Sequence, residues 1–168
     1  MTPGMNHLTR GGWLLVAVLI AAAARAQSTD TVGATFVVAS QVKLTLSLSA
    51  LTFPDADPDL QPLIPAWEGP ITITAKARAT FSNEIILTVL ATDDLRSGMD
   101  VIPIAQLAWT TTGAGLTGGT MSHTLAQRVA TWTSSGTFAG TQTFTLGNSW
   151  TYPTGSYGMT VTYTLTTP

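Results

Sequence analysis

The stretch "MTVTYTLT", residues 159–166, sets Met159, Val161, Tyr163 and Leu165 against Thr160, Thr162, Thr164 and Thr166. Successive side chains on a β-strand point to opposite faces, so a strict period of two makes this a half-buried strand with one apolar and one wet face. Threonine suits the wet face, because its branched Cβ fits a pleated surface while its hydroxyl meets water.

The same period recurs in "VKLTLSL" (42–48), "ITITAKA" (71–77) and "TQTFTL" (141–146). Less regular apolar stretches, "ATFVVA" (34–39), "IILTVLA" (85–91), "IAQLAWT" (104–110) and "RVATWT" (128–133), are expected to be strands as well. Turn signals separate them: Asp93-Asp94, Ser97-Gly98, "TGAGLTGG" at 112–119, "SSG" at 134–136, Gly147-Asn148 and "PTG" at 153–155. Seven to nine short strands at this spacing, with no sustained helical period, predict an all-β chain folded as an immunoglobulin-like antiparallel β-sandwich. An outer-membrane barrel is the rival, but its strands run to ~9–11 residues and most of these are shorter.

The N-terminus has a different character. Residues 1–12 carry one charged side chain, Arg10, and lead into the apolar run "WLLVAVLIAAAA" (13–24), followed by small residues at Ala24 and Ala26. Twelve apolar residues span only ~18 Å as a helix, short of a ~30 Å hydrocarbon core. The expectation is a cleaved signal peptide over 1–26, leaving 27–168 as a single β-sandwich domain in a secreted, cell-surface or periplasmic protein without a transmembrane anchor. The chain has no cysteine, and none is needed at a length that buries most of its surface. Beyond residue 26, five basic residues face nine acidic ones. A net charge of about −4 offers no footprint for nucleic acid.

"ATFVVASQVKLTLSLSALTFPD", then "IILTVLATDDL", "GTQTFTLGNSW" and the closing "PTGSYGMTVTYTLTTP" follow one another in an order that resembles WxL-like and spore-coat-protein-U-like bacterial surface domains. The most specific part is Gly155-Ser156-Tyr157 leading into Val161, Tyr163, Leu165 and Pro168. The chain diverges in carrying Tyr163-Thr164-Leu165 where a W-x-L signature stands, and in lacking cysteines. The resemblance implies a surface or extracellular role in structure, adhesion or wall binding.

Catalysis finds few parts. Beyond residue 26 the one histidine is His123, in "GTMSHTLAQ", with no nucleophile elbow or phosphate-binding glycine loop. Glu68, Glu84, Asp93, Asp94 and Asp100 offer no pair whose spacing along the chain marks glycoside hydrolysis, and Asp93-Asp94 reads as a turn. The chain is therefore expected to be no enzyme and to need no cofactor.

Two binding features remain. In "FPDADPDLQPLIP" (53–65), Asp55, Asp57 and Asp59 alternate as calcium ligands could, but Leu60 and Ala66 stand where a twelve-residue calcium loop needs glycine and glutamate. An irregular calcium cage stays open beside a proline-stiffened connection crossing between sheets. Trp67, Trp150, Tyr152 and Tyr157 could stack on sugars, whereas Trp109 and Trp132 lie within strands and are expected in the core. The sequence thus favours a non-catalytic secreted structural protein acting in adhesion or envelope association. Its partners would be an envelope polymer, a polysaccharide or other surface proteins. A carbohydrate-binding module is one alternative. A pilin-like subunit, pairing "ATFVVAS" (34–40) with a neighbour's open sheet edge, is another; it requires an incomplete sandwich, whereas the alternating C-terminal strand favours a self-complete domain.

Overall fold

A computed structural model describes residues 31–167. The expected signal peptide, 1–26, lies outside the described residues. The chain divides into two units, Met1–Phe36 and Val37–Pro168. Residues 31–36 of the first carry no secondary structure. The second is built of eleven strands: β1 (Gln41–Leu46), β2 (Leu63–Pro65), β3 (Ile71–Arg78), β4 (Glu84–Ala91), β5 (Leu95–Ser97), β6 (Asp100–Ile102), β7 (Leu107–Thr112), β8 (Gly119–Thr120), β9 (Gln127–Thr133), β10 (Gly136–Gly147) and β11 (Val161–Thr166).

All pairings are antiparallel. One sheet runs β1-β3-β10-β7-β8, with β2 also on β10; the second runs β11-β4-β9; β5 and β6 form a hairpin. The sheets pack as a sandwich because β3 and β4 each keep one apolar face. Ile71, Ile73, Ala75 and Ala77 from β3 share a core with Ile85, Leu87, Val89 and Ala91 from β4. Each large side chain among them contributes ~1.5–3 kcal/mol by leaving water.

Where the alternation in sequence is strict, strand and register follow it. Where it is not, local reasons appear. Val129 and Ala130 are consecutive yet both fully buried, because β4 and β9 shift register between Leu87 and Thr88. The resulting bulge turns two neighbouring side chains inward. Trp109 and Trp132 are in the core as expected, 3% and 7% exposed. Their indole N–H groups are satisfied by the glycine-rich 112–119 loop: Trp109 Nε1 donates to Thr117 O at 3.0 Å, and Trp132 Nε1 to Ala114 O at 2.8 Å. Gly115 has φ +80°, and a Cβ there would strike the Thr131 carbonyl and the Trp132 ring.

Three expectations are corrected. "ATFVVA" is not a strand; residues 31–40 have no secondary structure, and pairing begins at Gln41. β-propensity without a partner strand leaves the backbone unpaired. Residues 104–106 form a single 3-10 turn, with β7 starting at Leu107. The proline-rich connection does not cross between sheets: within it Leu63–Pro65 pairs with β10 in the sheet that already holds β1. Pro62 and Pro65 flank Ile64, whose side chain is buried.

Candidate functional site

The two edge strands β1 and β11 flank one side of the sandwich. Among the described residues β1 pairs only with β3, and β11 only with β4. At one end their flanks meet, Ser40 Oγ lying 3.2 Å from Thr167 Oγ1. Ser40 Oγ also donates to the Arg78 carbonyl at 3.0 Å. Further along, a cavity of about 1100 Å³ separates Leu46, Leu48, Leu51 and Phe53 from Met159, Val161 and Tyr163. Ile64, Ile71, Leu95, Ile102, Leu107 and Phe144 form its floor.

Each wall is fastened to its own surroundings. On the first, Thr52 N donates to Glu68 Oε2 at 2.8 Å, while Thr52 O accepts from Trp67 N at 2.9 Å. That backbone donor holds the Glu68 carboxyl below its usual range. Asn148 Nδ2 donates to Ala56 O and Gln61 O at 2.9 and 3.2 Å, tying the aspartate loop to the end of β10. On the second wall, Tyr157 Oη donates to Pro153 O at 2.8 Å, Gly158 bridges Arg96, and Thr92 N donates to Thr160 O at 2.9 Å.

The inward residues of β11 are incompletely covered. Val161, Tyr163 and Leu165 alternate with exposed threonines as the sequence predicts, but all three are half-buried, whereas β3 and β4 bury theirs. Leu44 and Leu46 of β1 are half-buried too, and Val42 is exposed. The apolar lining of the sandwich thus runs out to solvent along this side.

One polar link crosses the core here. Tyr163 Oη donates to Gln142 Oε1 at 2.6 Å. Gln142 is wholly buried, and its Nε2 has no protein partner. Burial pushes the Tyr163 phenol well above its usual range. Gln142 falls in the apolar phase of "TQTFTL", level with Phe144 and Leu146, and that misplaced polar residue was the signal for it.

Asp55, Asp57 and Asp59 are exposed, and their carboxylates do not come within 4.8 Å of one another as a group of three. Asp57 Oδ1 accepts from Asp59 N at 2.9 Å, and Asp57 O accepts from Leu60 N and Gln61 N, which is turn chemistry. Among the described residues, the one cluster of three metal-type ligands within 4.8 Å is Asp93, Asp94 and His123. Each carboxylate there is engaged. Arg96 grips Asp93 through Nε and Nη2 at 2.6 and 3.1 Å, bringing its carboxyl down to about 2 with help from the Asp94 N–H. Asp94 Oδ1 accepts from Ile104 N at 2.8 Å and lies 3.2 Å from His123 Nδ1. The histidine ring therefore has an orienting carboxylate that its sequence neighbourhood did not reveal.

Of the aromatics, Trp150, Tyr152 and Tyr157 line the cavity, and Trp67 does not. Trp67 and Trp150 are exposed at 79% and 69%, while Tyr152 and Tyr157 are half-buried. Burial raises both tyrosine phenols, with Asp100 adding to the effect at Tyr157. Among the described residues no helix is long and apolar enough to cross a membrane. Neither a family profile nor a curated protein sequence matches the chain.

Proposed function

We propose that the chain is an exported, non-catalytic structural protein of the cell surface, assembled through the open side of its sandwich. One observation carries this: β11 has a free edge beside a cavity, and its inward residues stay half-buried. The strand order supports an immunoglobulin-like reading in which β1-β3-β10-β7 answer to strands A-B-E-D and β4-β11 to C-F. The seventh strand of that plan, a partner for the outer edge of β11, has no counterpart among the described residues.

The alternating C-terminal strand is present, yet among the described residues its outer edge has no partner strand. A strand from another chain laid along β11 would take up its outward N–H and C=O groups and cover Val161, Tyr163 and Leu165. The pilin-like reading is thereby favoured over a self-complete domain within the broader structural role. A sugar-binding role has one observation behind it, the exposed Trp150 beside Tyr152 and Tyr157 at the cavity.

Size-exclusion mass of the purified protein, with binding to insoluble polysaccharides and cell-wall material measured alongside, separates these roles. Masses above the monomer without polysaccharide retention are expected. A strictly monomeric protein retained on polysaccharide, and released when Trp150 is replaced by alanine, would reverse the order of the two readings.

A further inference from the structure

The cavity beside β11 has the dimensions and lining of a site for one small apolar molecule. Its volume is about 1100 Å³, which matches the largest of the ~300–1,000 Å³ pockets that enclose organic ligands. Along one wall Met159, Val161 and Tyr163 follow one another at every second residue, and at ~3.3 Å per extended residue they line about 13 Å of it. A wall that runs with the strand suits a straight chain.

Charge narrows the ligand. Among the described residues no lysine, arginine or histidine lines the cavity, and the charged side chains that do, Asp55 and Asp57, are exposed at its rim. An anionic head would find like charge and no counter-charge, and any ionic head drawn inside would lose its hydration. The ligand is therefore uncharged.

The Tyr163 end of the wall carries a polar pair. The Tyr163 hydroxyl gives its proton to Gln142 Oε1 at 2.6 Å, so toward a ligand it offers lone pairs alone. Gln142 is 0% exposed, and its Nε2 is, among the described residues, the one buried side-chain polar atom without a hydrogen-bond partner. Register sets that amide against the cavity floor: Gln142 stands opposite Ile71 and two residues from Phe144 on the same face. An acceptor next to an unsatisfied donor matches one small neutral group, a hydroxyl, which gives one proton and accepts another. Leaving a buried N–H unpaired is costly, and a ligand that supplies its acceptor removes that cost.

We infer that the cavity binds a straight-chain alkyl alcohol, with its chain along Met159 and Val161 and its hydroxyl between Tyr163 Oη and Gln142 Nε2. Such a ligand is independent of the assembly proposed above. Between the sheets it touches side chains of β11, whereas assembly uses the outward N–H and C=O groups of that strand.

Calorimetric titration of the purified protein with 1-hexanol, 1-octanol and 1-decanol tests this. One molecule per chain is expected, with affinity rising about fourfold for each added methylene. Methyl nonyl ether, an isomer of 1-decanol without an O–H, should bind about fivefold more weakly. Tyr163→Phe should erase that difference and keep the increment per methylene, a split that a merely loosened fold would not produce. Decanoate at about pH 8 should bind roughly tenfold more weakly than 1-decanol, or worse. Leu48→Trp, at a half-buried position on the opposite wall, should abolish binding by filling the space.

Affinity that ignores chain length, or uptake without saturation, would overturn the site, and neither measurement needs a variant. Undiminished binding to a folded Leu48→Trp chain would place the alcohol elsewhere and overturn it too. Equal binding of ether and alcohol by the parent protein would overturn the hydroxyl's place between Tyr163 and Gln142. Size-exclusion mass on the same samples keeps the two proposals apart. Multimers that bind no alcohol would remove this inference and leave assembly standing, and a strict monomer that binds 1-decanol would do the reverse.

Discussion

Tyr163 and Gln142 join the two sheets through a 2.6 Å hydrogen bond, the phenol of an edge strand donating to an amide oxygen that is wholly enclosed. Removing one partner strands the other. Tyr163→Phe should cost about 1–3 kcal/mol in urea denaturation, the penalty for a buried acceptor left without its donor. Gln142→Leu combined with Tyr163→Phe should cost less than the two single changes added together. Simple additivity in that double-mutant cycle would show the bond to be energetically idle.

The two faces of β11 should respond differently to charge. Val161→Asp places a carboxylate on the cavity side and should destabilise by about 1–3 kcal/mol, while Thr162→Asp, on the exposed face, should stay within about 0.5 kcal/mol of the parent monomer. Chemical denaturation of both variants checks this. Equal losses would mean that β11 does not hold its assigned face.

Acid should reveal the Asp93–Arg96 pair. Arg96, with the Asp94 N–H, brings the folded-state carboxyl of Asp93 down to about 2. The unfolded value is about 3.9. The folded state therefore binds this proton less readily than the unfolded one. Its contribution is complete above about pH 4 and is lost as the pH falls through about 2. Arg96→Gln should flatten the stability profile across that window and leave its shape near neutrality unchanged. Melting curves between pH 2 and 7 supply the comparison, and an unaltered acid limb would contradict the assignment.

Calcium should leave the melting temperature unchanged. Asp57 spends an oxygen on the Asp59 N–H, and the three aspartates of the proline-rich loop do not converge. A site filled at one hundred times its dissociation constant would add ~2.7 kcal/mol. A shift with calcium that chelator reverses, and that is lost when Asp55, Asp57 and Asp59 are changed to asparagine, would establish the site.

Much of the sheet framework was legible in the sequence because β3 and β11 each have one wet and one apolar face, and alternation reports that directly. Alternation is silent on what covers a face. Val161 and Ile73 occupy the same phase of equally regular patterns, yet one is half-buried and the other fully enclosed. The bulge at Val129-Ala130 broke the period for a reason that lies in the pairing with β4. "ATFVVA" has strand propensity and no partner within its own sheets, and propensity cannot supply one. His123 and Asp94 stand far apart along the chain and meet only once β4 and the 121–126 connection are in place, so no spacing rule would have joined them.

The long strand β10 has a consequence for the order of events in synthesis and folding. It is the common neighbour of β3, β2 and β7, and its register sets Gln142 opposite Ile71 and Gly136 opposite Ala77. Until the ribosome has made residues 136–147, β3 and β7 have no strand between them and the first sheet has no centre. Contacts this distant along a chain are slow to form, on the millisecond-to-second scale. A nascent chain of this design cannot close its first sheet until residues 136–147 have joined β3 to β7.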